Sequence, residues 1–275
     1  MTCLNLLKNN LKLSKNKEIH VESERILRYY VNYVKKTFSN NSFLLSEYGR
    51  RKSHLQNDKT ALLLIDMQKE GGTSDVIGMD DIVQNTANLI DSCRKKNIPV
   101  IYTRHINRGD SIGLANDEPL NKDGTPTYYH SLTESIEILD QIKPESNDIV
   151  IDKYRYSGFY ESNLDLMLKG MGIEHLIIGG VLTDVCVLGT ALDAYYRDYQ
   201  INIVEDMCGT TTEGAHMASI LMMANWIYDM KIFKTKQLQR KLNGEDYQLW
   251  ETAAPDQLQF SPDNMREVFS KIKNM

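Results

Sequence analysis

From about residue 60 onward, short apolar runs alternate with stretches in which apolar residues recur every three or four positions. Ala61-Leu62-Leu63-Leu64-Ile65 is apolar throughout, the pattern of a strand covered on both faces, and it gives way abruptly to Asp66-Met67-Gln68. Ile149-Val150-Ile151 ends in Asp152-Lys153 in the same manner. Leu176-Ile177-Ile178-Gly179-Gly180 runs into the turn Val181-Leu182-Thr183-Asp184-Val185, followed by Cys186. The pattern predicts strands over 60–66, 98–104, 148–153, 174–180, 201–205 and 229–233, with helices near 80–96, 132–141, 161–171, 186–198 and 213–225. Strands separated by helices pair in parallel through right-handed crossovers, so the expected fold class is α/β, a three-layer α/β/α sandwich on a six-stranded parallel sheet.

In such a sheet the C-terminal strand ends form the ligand crevice, which brings Asp66, Lys153 and Cys186 to one rim. A base, a cation and a nucleophile at one rim make the constellation of a cysteine hydrolase. Taken singly, Asp66 also fits a helix cap, Lys153 a solvated surface residue and Cys186 a buried structural thiol. Their coincidence on three strands favours the catalytic reading. Cys186 opens a predicted helix, where the macrodipole favours a thiolate, and Lys153 nearby adds to that effect. The expected pKa of Cys186 is therefore well below the free value of about 8.5.

With these residues in place, the chain resembles the isochorismatase-like cysteine hydrolase superfamily over about 59–235. The carrying segments are Leu64-Ile65-Asp66-Met67-Gln68, Lys153-Tyr154-Arg155-Tyr156-Ser157-Gly158-Phe159 and Gly180-Val181-Leu182-Thr183-Asp184-Val185-Cys186-Val187, with Thr190 and Asp193-Ala194 behind. The second segment is most similar to the branch that hydrolyses ureido and carbamoyl compounds: the ureidoacrylate, N-carbamoylsarcosine and biuret amidohydrolases. The resemblance implies a sheet order of 3-2-1-4-5-6 and a catalytic triad of Asp66, Lys153 and Cys186. It also implies an oxyanion hole from the backbone amides of Leu182 and Cys186, exposed by a cis peptide between Val181 and Leu182.

The segment after Lys153 is expected to line the pocket. Tyr156 offers a hydroxyl, Phe159 an apolar wall, and Arg155 either a bidentate partner for a substrate carboxylate or an ion pair within a neighbouring loop. Gln68 and His105, at the ends of strands 1 and 2, are further candidate substrate contacts. The nicotinamidase branch carries an Asp-x-His pair after strand 2 and a further His as metal ligands. Here that place reads Tyr102-Thr103-Arg104-His105-Ile106-Asn107, with His130 the only nearby additional candidate, so no metal and no cofactor are expected. His216 matches a helix start and reads as structural.

The expected activity is a metal-independent amidohydrolase acting on a small ureido, carbamoyl or amide substrate through a covalent acyl-enzyme. The competing readings are a nicotinamidase, weakened by the missing ligands; isochorismatase proper, which cleaves a vinyl ether and is weakened by the intact Cys186; and a non-catalytic scaffold, weakened by the intact triad. Composition narrows the partners. The 275 residues carry a formal net charge of −5, which gives no footprint for nucleic acid. No apolar run approaches the roughly 20 residues that span a bilayer. The four cysteines, at 3, 93, 186 and 208, have no metal-ligand spacing, and no secretory segment precedes them; a reducing cytoplasm is the expected compartment. Cys93 reads as packing and Cys208 as lying in a turn.

The organisation expected is a helical N-terminal extension over 1–58, the hydrolase domain over 59–235 and a C-terminal accessory segment over 236–275. Within the first, 21–38 shows an amphipathic stripe of Ile26, Leu27, Tyr30, Val31 and Val34 that must be covered. In the last, Trp250, Phe260 and Phe269 are candidate anchors. The resemblance implies a homodimer or homotetramer.

Overall fold

The computed structural model describes residues 56–273; the expected N-terminal stripe over 21–38 and Cys3 lie outside them. The sheet is built from β1 (Thr60–Ile65), β2 (Val100–His105), β3 (Ile149–Lys153), β4 (His175–Val181), β5 (Gln200–Gly209), β6 (Lys231–Phe233) and β7 (Trp250–Glu251), in the order β3-β2-β1-β4-β5-β6-β7. The first six pair in parallel, and β7 adds antiparallel to β6. The expected six-strand order holds, but the sheet has a seventh strand supplied by the C-terminal segment. β7 spans two residues, too short to leave a period in the sequence, and is anchored by the buried Trp250.

The apolar runs read as strands covered on both faces because successive side chains alternate sides. Ala61, Leu63 and Ile65 enter one core, Leu62 and Leu64 the other; Leu176 and Ile178 divide from Ile177 in the same way. The first core is completed by α2 (Leu164–Gly170), α3 (Leu188–Tyr195), α4 (Glu213–Trp226) and α6 (Met265–Lys273). The second is completed by α1 (Met79–Lys95) and α5 (Thr235–Leu242). Phe269 and Trp250 are buried and Phe260 packs against the first core, so the C-terminal anchors hold the end of the chain into the sandwich. Among the described residues no helix is long and apolar enough to cross a membrane.

Three expected elements differ. The helix expected over 132–141 is absent: only two short 3-10 turns form, Glu134–Ile136 and Asp140–Ile142. The chain between them lies against the segment leaving β1, where Gln68 bridges Ile138, Lys69 N–H donates to Glu137 O and Leu139 N–H donates to Met67 O. Backbone groups engaged in that pairing are unavailable to a helix ladder. The helix expected from Cys186 starts at Leu188, preceded by one π-helical turn over Thr183–Val187. Cys208 lies within β5, which continues to Gly209, and not in a turn.

One glycine fixes the approach of the two central strands. Gly180 sits at φ +130, and a Cβ there would meet Ile65 O at 2.2 Å. Only glycine lets β4 run this close to β1 at the point where both strands deliver their functional residues.

Candidate active site

Asp66, the residue after β1, adopts a left-handed backbone with φ 50, a conformation that aspartate tolerates better than most side chains. Its carboxylate is fully buried and held from two sides. Thr103 Oγ1, on β2, donates to Oδ1 at 2.7 Å, and Lys153 Nζ, at the end of β3, forms an ion pair with Oδ2 at 2.6 Å. The Thr103 hydroxyl also accepts from the Asp66 backbone N–H at 3.2 Å. β1 and β2 pair with Ile65 opposite Thr103, which puts the carboxylate and the hydroxyl side by side.

Lys153 crosses from β3 on its long stem. Its ammonium donates to Arg155 O at 2.9 Å and to Cys186 Sγ at 3.6 Å while paired with Asp66. Burial opposes the Lys153 charge, but Asp66 and Cys186 outweigh it and hold its pKa above the ordinary lysine value. Two strands apart in the sheet, base and cation thus meet in a dry space where each neutralises the other.

Cys186 occupies the π-helical turn, an irregularity often found at functional sites. Val187 N–H and Val185 N–H both donate to Leu182 O at 3.1 Å, closing the wide loop. Thr183 Oγ1 contacts His216 Nδ1 at 3.0 Å, and His216 Nε2 lies 3.2 Å from Oε1 of Glu205, whose Oε2 pairs with Lys234. His216 is therefore structural, tying the turn that carries Cys186 to β5 and α4. The peptide bond between Val181 and Leu182 is cis.

Cys186 is only 5% exposed, and this reverses one expectation. Burial pushes the Cys186 thiol above its ordinary pKa, the Asp66 carboxylate adds to the rise, and the Lys153 ammonium opposes it without prevailing. The expected depression fails because the sulfur faces the carboxylate as well as the ammonium, in a site with little water. The resting group is a thiol with a base beside it. Burial raises Cys93, to about 12, and Cys208 as well.

A cavity of about 500 Å³ opens above the sulfur, lined by Cys186, Leu182, Val185, His105, Arg155 and Tyr156 among others. Tyr156 is exposed at its mouth, edge-on to the His105 ring at 6.4 Å. His105 stacks on Tyr129 at 4.6 Å, and neither ring nitrogen has a hydrogen-bond partner. Burial, with help from Lys153, lowers its pKa to about 4, so the imidazole is neutral near pH 7. Arg155 donates from Nη1 to the carbonyls of Gly113 and Tyr154, so its loop partner is backbone and not an acidic side chain.

Two expected substrate contacts do not reach the cavity. Gln68 is fully buried, donating to His105 O and Ile136 O and accepting from His105 N–H, so its amide is spent tying β1, β2 and the 134–136 turn together. Phe159 turns into the first core, stacked on Tyr199 at 5.8 Å and beneath the Arg197 guanidinium at 5.0 Å. The cavity also contains groups not singled out in the sequence: Glu70, Asp75, Asp117, Glu118 and tyrosines 128, 129 and 154.

Ligand atoms of Asp66, His105 and Cys186 lie within 4.8 Å of one another, a span that suits a shared cation. Asp66 and Cys186 already share the Lys153 ammonium. A divalent ion at the same point meets that positive charge, so the donor set fits the lysine better than a metal. His130 is not part of the group.

The sequence profile of the isochorismatase domain matches residues 60–231. Ureidoacrylate amidohydrolase RutB of Acinetobacter baylyi is 29% identical over 205 residues, covering 65% of this chain and 84% of that protein. Enterobactin synthase component B of Escherichia coli is 33% identical over 151 residues, covering 53% of this chain and 50% of the other. Among solved structures, a cysteine hydrolase from Pseudomonas syringae superposes with a TM-score of 0.63 at 25% identity, covering 70% of this chain and 96% of its own. N-carbamoylsarcosine amidase from Thermoplasma acidophilum gives a TM-score of 0.50 at 26% identity, covering 64% and 96%.

Proposed function

Because the chain belongs to the isochorismatase family of hydrolases, we propose that it is a cysteine amidohydrolase cleaving a C–N bond of a small ureido, carbamoyl or amide substrate. The observation that carries this reading is the buried contact set of Asp66, Lys153 and Cys186, with Nζ at 2.6 Å from the carboxylate and 3.6 Å from the sulfur. Similarity to the ureidoacrylate and N-carbamoylsarcosine enzymes supports the bond type.

In this mechanism Asp66 takes the thiol proton as Cys186 Sγ bonds to the carbonyl carbon, giving a tetrahedral intermediate. The high thiol pKa favours transfer only once the substrate is present, when the new S–C bond consumes the charge. In this reading the backbone amides of Leu182 and Cys186 stabilise the oxyanion. Collapse breaks the C–N bond, and the proton held by Asp66 goes to the departing nitrogen. Water, deprotonated by Asp66, then attacks the thioester; its collapse returns the proton to sulfur and frees the acid. Lys153 stays positive throughout, orienting the carboxylate. No step requires a metal, because that ammonium supplies the fixed positive charge.

Incubation of the full-length protein with a panel of ureido compounds and simple amides, scored for ammonia or amine release, tests the reading. Turnover of a ureido compound supports it. Turnover confined to a vinyl ether such as isochorismate would replace it with the ether-cleaving activity.

A further inference from the structure

We infer that the substrate's distal end, remote from the scissile bond, carries a positive charge, as an ammonium or guanidinium group; this rests on the amidohydrolase reading above. Among the described residues, the cavity over Cys186 is lined by four carboxylates, Glu70, Asp75, Asp117 and Glu118, against one guanidinium, Arg155. The other nearby cation, Lys153, is committed to Asp66 and Cys186. Asp75, Asp117 and Glu118 form no ion pair among the described residues, so their charge is not neutralised by a neighbouring side chain. A cleft of one sign with low-dielectric walls concentrates a ligand of the other.

Two of these carboxylates are fixed in place. Asn107 Nδ2 donates to Glu118 Oε1 at 2.6 Å and Ala115 N–H to Oε2 at 3.2 Å, while Tyr129 N–H donates to Glu70 Oε2 at 2.6 Å. The donors to Glu118 are neutral amides, which orient its carboxylate without cancelling its charge. Tyrosines 128, 129, 154 and 156 supply ring surface to the same cavity, and a cation gains from ring faces as well as from carboxylates.

His105 lies at the sulfur end of the cavity, its ring within 4.8 Å of Cys186 Sγ and Asp66. It is 5% exposed, lines the cavity and has both ring nitrogens unpartnered, so it offers one donor and one acceptor to a ligand. A neutral imidazole beside the sulfur suits the amide or ureido end, whose N–H and C=O need such partners once desolvated. Asp75, Asp117 and Glu118, none of them hydrogen-bonded to His105, are left to the tail. The sequence had allowed Arg155 to pair a substrate carboxylate; with three carboxylates unneutralised around the same space, an anionic tail meets repulsion there.

The test compares three ureas of matched length on the full-length protein: aminopropylurea, butylurea and ureidobutanoate, with positive, neutral and negative tails. The expected kcat/KM falls in that order, by about tenfold or more from first to last, with the difference in KM and shrinking as salt is added. Asp117→Asn and Glu118→Gln each narrow the ratio. Equal or higher kcat/KM for the butyl or carboxylate compound overturns the inference, as does a ratio untouched by both variants. If none of the three is turned over, calorimetric binding to Cys186→Ala decides separately. Tighter binding of the ammonium compound upholds the charge preference while the amidohydrolase reading fails; equal, reversed or absent binding overturns the preference too.

Discussion

Thr103 donates its hydroxyl to Asp66 Oδ1 at 2.7 Å while accepting from the Asp66 backbone N–H, so one β2 side chain fixes both the position and the free lone pairs of the Asp66 carboxylate. Without it, Oδ1 is buried and unpaired, a cost of about 1–3 kcal/mol. Thr103→Val is therefore expected to lower kcat by roughly tenfold to a hundredfold, with a smaller change in KM, and Thr103→Ser to recover most of it. Steady-state kinetics of the pair checks this; a valine variant with unchanged kcat would remove Thr103 from the site's support.

The sequence made the triad legible because each member is an ionisable residue where an apolar strand ends. Thr103 carried no such mark: a threonine inside a strand reads as an ordinary β-former, and its role appears only once β1 and β2 are set in register. Gln68 and Phe159, expected as substrate contacts, do not line the cavity for the converse reason. Both lie near candidate triad residues along the chain, but Gln68 is consumed by backbone groups and Phe159 by the core. The helix expected over 132–141 failed because its apolar spacing also suits the extended pairing with residues 67–69 that formed. The acidic wall of the cavity comes partly from the loop after β2, whose composition has no period to read.

Cys186 is expected to behave as a buried thiol and not as a preformed thiolate. Its alkylation by iodoacetamide, followed by mass spectrometry of the Cys186 peptide, should be slow at neutral pH and still rising beyond the ordinary thiol pKa of about 8.5. A rate that reaches its plateau below about pH 7 would show that Lys153 outweighs burial and Asp66.

His105 links stability to pH. Its folded pKa is lowered from 6.5 to about 4, so between those values the unfolded chain binds a proton that the folded protein does not. Stability therefore falls as pH drops from 6.5 to about 4, by about 3 kcal/mol, and this contribution levels off below. Glu205, lowered from 4.5 to about 2, removes stability in a separate, more acidic window. Urea unfolding of wild type and His105→Gln across this range separates them. His175, also lowered by burial, keeps part of the upper slope, so the variant should lose part of the slope above pH 4.5 and keep the one below it; an unchanged upper slope would assign that dependence elsewhere.

Metal removal should leave turnover unchanged, because the Lys153 ammonium occupies the point between Asp66 and Cys186 where an ion would sit. Activity before and after dialysis against a chelator, with metal content measured alongside, tests this. Stoichiometric zinc or iron whose removal abolishes activity, and whose return restores it, would contradict the account.

The covalent role of Cys186 is tested most directly by comparing Cys186→Ala with wild type on the best substrate of the ureido and amide panel, with circular dichroism confirming that both are folded. The account predicts a loss of at least about a thousandfold in kcat for the alanine variant, with an acyl adduct on the Cys186 peptide of acid-quenched wild type. A folded Cys186→Ala protein that hydrolyses the same substrate at a rate near wild type would contradict it.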